Sequence, residues 1–98
     1  MELQLAKDKV VLITGASRER GIGLATARLF AEHGAKVAIL DLDEGEASAA
    51  AQGLGEAHMG VGCDVTDTQA CQAAVAAVLQ RHGRIDVLVN NAGLTQRK

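Results

Sequence analysis

Thr14-Gly15-Ala16-Ser17-Arg18-Glu19-Arg20-Gly21-Ile22-Gly23 sets three glycines between a wholly apolar run, Val10 to Ile13, and an amphipathic one, Leu24 to His33. The first run reads as a strand buried on both faces and the second as a helix. A glycine-rich turn from buried strand into helix suits an anion. Without side chains in the way, backbone N–H groups approach it closely, and the helix dipole stabilises its charge. A phosphate is the natural occupant. Asp41 stands at the carboxyl end of the second strand-like run, Lys36 to Leu40, eighteen residues beyond Gly23. That is near the spacing at which an acidic residue accepts hydrogen bonds from the ribose hydroxyls of a dinucleotide. The same glycines also permit a tight turn and close helix–strand packing, and Asp41 also suits a solvated turn; these needs coexist with binding.

The elements that would position these groups alternate along the chain. Gly34 ends the first helix as a C′ glycine does. Its apolar face is expected at Ile22, Ala25, Leu29 and Phe30, with Arg28 and Glu32 turned away. Glu44 to Leu54 reads as an alanine-rich, weakly amphipathic helix, and Met59 to Cys63 as a short third strand ending at Asp64-Val65. Thr66-Asp67-Thr68-Gln69 fits a capping box, with Thr66 as N-cap of a third helix whose apolar stripe is Cys71, Val75, Val78 and Leu79. Gly83 ends that helix, and Ile85 to Val89 reads as a fourth strand before Asn90-Asn91-Ala92-Gly93. The order is βαβαβαβ, and helix-length crossovers require parallel strands. Right-handed crossovers predict strand order 3-2-1-4, an α/β, Rossmann-like doubly wound parallel sheet in partial form. Two helices then cover one face and one covers the other.

Composition narrows the partners. Of 98 residues, 48% are hydrophobic, while Phe30 is the only aromatic one and proline is absent. The core is therefore Ala, Val, Leu and Ile, which favours tight packing of helix on sheet. A net charge of -2 offers no electrostatic footprint for nucleic acid. No run is long enough to span a bilayer, and Met1 to Lys9 does not read as a signal sequence. Cys63 and Cys71 lack CxxC spacing, so two reduced thiols in a soluble cytoplasmic protein are expected. His33, His58 and His82 do not share a metal-ligand spacing, and no metal site is expected.

Three motifs in order, Thr14-Gly15 with Gly21-Ile22-Gly23, then Asp64-Val65, then Asn90-Asn91-Ala92-Gly93, resemble the short-chain dehydrogenase/reductase family. The resemblance runs from about Lys7 to Gly93 and is nearest to the 3-oxoacyl-acyl-carrier-protein reductase-like branch. It implies the amino-terminal, cofactor-binding portion, residues 1–98, of a single-domain oxidoreductase. Such an enzyme moves a hydride between a nicotinamide cofactor and a carbonyl or secondary alcohol, as a homo-oligomer, dimer or tetramer. It implies that Gly15, Ser17, Arg20, Gly21, Ile22, Gly23, Asp41 and Leu42 bind the cofactor, the three glycines at its phosphates and Asp41 at the adenine ribose, with the roles of Ser17 and Arg20 left open. Asp64 would meet the adenine amino group, with Val65 beside the ring, and Asn91, Ala92 and Gly93 would lie by the cofactor ribose. The glycine loop has five residues between Gly15 and Gly21, two more than the family's common form. Arg20 points weakly to NADP, because a basic residue there often accompanies it; Asp41 opposes a 2′-phosphate, and NAD is expected over NADP.

The family's general acid/base is a tyrosine assisted by a lysine, and its substrate oxygen is held by a serine. This chain has no tyrosine, and its serines, Ser17 and Ser48, fall in the glycine loop and the second helix. No catalytic residue is assigned, and the chain alone is expected to be inactive. The apolar fourth strand, left as an edge, is expected to make it poorly soluble or oligomeric. The alternative is a non-catalytic nucleotide-binding module or assembly partner.

Overall fold

A computed structural model describes residues 5–15 and 21–90. Among these residues, strands β1 (Val10–Thr14), β2 (Lys36–Asp41), β3 (Met59–Gly62) and β4 (Val87–Asn90) alternate with helices α1 (Ile22–Glu32), α2 (Glu44–Leu54) and α3 (Thr68–His82). The strands pair in parallel in the order β3-β2-β1-β4, as the crossover argument predicts.

Period-two alternation along β1 and β2 divides the core. Val11, Ile13, Val37 and Ile39 pack with Leu24 and Ala27 of α1 and Ala47 and Ala51 of α2. On the opposite face Val10, Leu12, Ala38 and Leu40 pack with Cys63 and with Ala74 and Val78 of α3. Both central strands are thus buried on both sides, two helices against one. β4 is an edge strand. Leu88 stands level with Leu12 in the ladder, yet it is 65% exposed because α3 does not reach over it.

The contact face of α1 corrects the periodicity reading, whereas the expected stripe of α3 holds except at Leu79. Ile22, Ala25 and Leu29 are exposed, and the buried residues of α1 are Gly23, Leu24 and Ala27; Phe30 packs partly against the core. In α3 the buried positions are Ala74 and Val78, with Cys71 and Val75 half-buried and Leu79 exposed. The contact of α1 sets Gly23 and Ala27 beside Leu24, and that of α3 sets Ala74 beside Val78, so small residues share the buried stripe and bulk alone misplaces it.

The start of α3 also differs from the capping-box expectation. Asp67, not Thr66, is the N-cap, its carboxylate accepting from Gln69 N at 3.0 Å and Ala70 N at 3.3 Å. Thr66 is engaged elsewhere: its N–H and hydroxyl both donate to Asp64 Oδ1, at 2.9 and 2.6 Å. A charged acceptor at the positive helix end also outcompetes a neutral hydroxyl.

Close approach explains β3, whose Met-Gly-Val-Gly sequence is a weak strand by propensity. A Cβ at Gly60 would collide with the Ala47 backbone, and one at Gly62 would lie 2.7 Å from Glu44 Cβ. The two glycines let α2 lie directly on the strand.

Candidate functional site

All four strands end on one edge of the sheet, and the register decides which residues meet there. Thr14 stands level with Leu40 on one side and Asn90 on the other, and Asp41 is level with Gly62. The buried Thr14 donates its hydroxyl hydrogen to Asn90 Oδ1 at 3.1 Å, tying β1 to β4 where the chain leaves the sheet. Sequence reasoning missed Thr14 as the partner of Asn90. Gly15 turns the chain out of β1 with φ 70, in the left-handed region that favours glycine, while its N–H donates to Leu40 O at 2.8 Å.

Helix α1 begins beyond this turn with Gly21 as N-cap, which brings no side-chain cap, and its first turn carries no acidic residue. The other two helices differ. Asp43 caps α2, accepting from Glu46 N at 3.0 Å, and Asp67 caps α3. Those helix ends carry their own counter-charge; among the described residues, that of α1 does not. An unneutralised helix start beside a glycine turn can stabilise an external anion.

One strand over, Asp41 ends β2. Its backbone C=O accepts from Cys63 N at 2.7 Å, which fixes the edge against β3, and its Oδ1 accepts from Asp43 N at 3.4 Å. Asp64 lies exposed just past β3, and the hydrogen bonds from Thr66 hold its carboxyl below the usual carboxylate range. Sequence reasoning missed Thr66 in this role, although Asp-x-Thr is a spacing that favours an Asx turn. Ile22 and Leu42, each 74% exposed, and Val65 add apolar side chains at the same edge. The edge therefore gathers a helix start able to stabilise an anion, two carboxylates and solvent-facing aliphatic groups. Such a set can grip a ligand that is anionic in one part, rich in hydroxyls in another and flat and apolar in a third.

The structure brings together Gly15, Gly21, Ile22, Gly23, Asp41, Leu42, Asp64 and Val65 on this edge. Ser17, Arg20, Asn91, Ala92 and Gly93 lie outside the described residues. Among the described residues, no group of three or more His, Cys, Asp or Glu is arranged to hold a metal ion. Nor is any of their helices long and apolar enough to cross a membrane.

Comparison with known proteins decides the family. Residues 9–98 match the family model for short chain dehydrogenase. The chain belongs to this family. An uncharacterized short-chain type dehydrogenase/reductase of Sinorhizobium fredii is 51% identical over 96 residues, covering 94% of this chain and 38% of its own length. Galactitol 2-dehydrogenase of Agrobacterium fabrum is 49% identical over 87 residues, covering 89% of the chain and 33% of its own length. Among solved structures, the 3-ketoacyl-(acyl-carrier-protein) reductase of Brucella melitensis complexed with NADH superposes with a TM-score of 0.79 at 40% identity. That match covers 84% of this chain and 33% of the reductase. The chain thus spans about a third of the length of these short-chain dehydrogenases.

Proposed function

We propose that residues 1–98 are the NAD-binding portion of an oxidoreductase that moves a hydride between NAD(H) and a carbonyl or secondary-alcohol carbon. One observation carries the reading: the acid-free start of α1 and the Asp41 carboxylate sit at the ends of adjacent strands. That is the order of chemistries a dinucleotide presents, pyrophosphate and then ribose diol. Gly15, Gly21 and Gly23 would admit the pyrophosphate to the helix start, with Ser17 and Arg20 on the loop rim. Asp41 would accept hydrogen bonds from the ribose hydroxyls. Ile22, Leu42 and Val65 offer apolar surface for the adenine, and Asp64 would meet its amino group. Asn91, Ala92 and Gly93 would border the second ribose. The nicotinamide supplies or accepts the hydride; these residues bind and orient it.

Asp41 also favours NAD over NADP. Two unit charges about 4 Å apart at an effective dielectric of 20 repel by roughly 4 kcal/mol. Even a third of that is about tenfold in affinity. A proton must accompany the hydride, and the chain contains no tyrosine to carry it in the family's manner. We assign that step to residues outside these 98, in keeping with the third of the relatives' length that the chain spans. The exposed Leu88 on the β4 edge is where further sheet would add.

The test is a fluorescence titration of the chain with NADH, alongside Gly23→Val. Gly23 is buried where α1 meets the sheet, so a valine there pushes the helix start away. The wild-type chain is expected to bind saturably and to oxidise no NADH with carbonyl compounds. Gly23→Val is expected to lose binding while retaining its far-UV circular dichroism. Unchanged affinity in Gly23→Val would contradict the placement of the pyrophosphate.

A further inference from the structure

Cys63 and Cys71 come from different elements and flank the Asp64–Val65 turn. Cys63 directly follows β3 and is buried; Cys71, in the first turn of α3, is half-buried. Both are free thiols, and their Sγ atoms stand 3.9 Å apart. Cys71 Sγ also lies 3.5 Å from Val65 O and 3.9 Å from Asp64 O. We propose that these two cysteines form a reversible disulfide across the Asp64–Val65 turn when the protein meets a hydroperoxide.

The geometry favours the pair. A disulfide needs sulfur atoms about 2 Å apart, so closure requires a movement of roughly 2 Å, within reach of side-chain rotation and a small shift of α3. The environments divide the labour. Burial, followed by the Cys71 hydrogen bond and the charges of Asp64 and Asp67, pushes the Cys63 thiol up to about 11. A thiol held neutral in this way reacts slowly with oxidant. Cys71 is the more exposed of the two residues and meets the peroxide first.

The steps balance. The Cys71 thiolate attacks one peroxide oxygen, the O–O bond breaks, and the departing hydroxide takes up the proton lost by the thiol. The product is a sulfenic acid and one water. Cys63 Sγ then attacks Cys71 Sγ, the S–O bond breaks, and hydroxide leaves with the Cys63 proton as a second water. Both sulfurs are oxidised and the peroxide is reduced. The Cys71 S–H that reaches the Val65 and Asp64 carbonyls is consumed, and the turn between the two cysteines is cinched. Weaker NAD binding follows from this only through the cofactor reading above; the disulfide itself does not depend on it.

Trypsin leaves both cysteines in one peptide, residues 37–81, because no lysine or arginine lies between Lys36 and Arg81. The full chain is treated with hydrogen peroxide, alkylated, digested and weighed, and a portion is titrated with NADH. The expected peptide carries no alkyl group and is lighter than its reduced form by two hydrogens, with dithiothreitol restoring the mass. Cys63→Ser is expected to trap a dimedone-reactive sulfenic acid at Cys71, and Cys71→Ser to stay unoxidised at the same dose. Oxidation is expected to weaken NADH binding about tenfold, a free-energy change of about 1.4 kcal/mol. Two alkylated cysteines in the treated wild type, links only between separate chains, or no adduct in Cys63→Ser would each overturn the proposal. An internal link with unchanged NADH affinity would overturn its coupling to the cofactor edge. Failure of the reduced chain to bind NADH would count against the cofactor reading alone.

Discussion

The two ends of the sheet are finished in opposite ways. At the amino edge, side chains close off the backbone where strands begin. Asp86 Oδ2 accepts from Val10 N at 2.9 Å while Asp86 N donates to Val10 O at 2.8 Å. His58 Nδ1 accepts from Val37 N at 2.9 Å, and Lys36 N donates to Lys9 O at 2.8 Å. At the carboxyl edge the chain instead turns outward through Gly15, starts α1 without an acidic cap, and leaves Ile22, Leu42 and Val65 facing solvent. One end only holds the strands together; the other, besides the Thr14–Asn90 tie, presents chemistry. Substitutions at the amino edge and in the helix–sheet contacts should therefore change stability, and those at the carboxyl edge should change ligand binding.

The largest effect is expected inside the scaffold, at Gly60. Valine there drives a Cβ and two methyls into the Ala47 backbone, and overpacking of this kind costs about 1–3 kcal/mol or more. Urea denaturation of Gly60→Val should show a lower midpoint, or no cooperative transition. Stability equal to wild type would mean that α2 does not rest on β3 as described.

Next comes Asp86. Arg84, 2.7 Å from Asp86 Oδ1, and the Val10 N–H hold its carboxyl below the usual carboxylate range. Asp86→Ala leaves the Val10 N–H without this acceptor, so melting temperature should fall, while NADH affinity should be unchanged. Asp86→Asn, which keeps a carbonyl acceptor, should fall between. An equal loss of NADH affinity in both variants would break the division between the two edges.

A smaller effect concerns pH. Burial, and then the charge of Arg81, lower the pKa of His58 below its ordinary 6.5. Protonation would turn Nδ1 into a donor facing the Val37 donor. Because the folded pKa is depressed, the unfolded chain binds more protons between the lowered value and 6.5. The stabilisation is present above 6.5 and is lost as pH falls through the folded value. Burial lowers His82 as well, with Arg81, Lys36 and His58 adding to it, so both histidines act in the same direction. Urea midpoints measured down through this range should fall, less steeply in His58→Ala. An identical slope in that variant would assign the dependence to other groups.

Much of the architecture was legible because it rests on local signals. Apolar runs marked β1 and β2, glycines marked the ends of α1 and α3, and helix-length crossovers required the parallel order that the sheet shows. The carboxyl edge was legible for the same reason: Gly15 directly follows β1, Asp41 ends β2, and Asp64 lies two residues past β3. What could not be read depends on partners distant in the chain. Asp86 finds Val10 across 76 positions and His58 finds Val37 across 21. The face of α1 was misread because Ile22 and Leu29 are bulky and apolar, whereas the face on the sheet is Gly23, Leu24 and Ala27, two of which are small. The cap of α3 was misread because Thr66 is drawn to Asp64, a competition that motif matching does not weigh. Gly60 and Gly62 carried an available signal, since glycines inside a short strand mark a close backbone approach.

Under the function we propose, the carboxyl edge is built for NAD, with Asp41 as the discriminating group. Parallel equilibrium titrations of NADH and NADPH against the chain and Asp41→Ala test it most directly. The unmodified chain should bind NADH at least about tenfold more tightly than NADPH. Asp41→Ala should bind NADH more weakly, and its preference should shrink or reverse. Equal affinity for the two cofactors in the unmodified chain, or a preference unchanged by Asp41→Ala, would contradict the account.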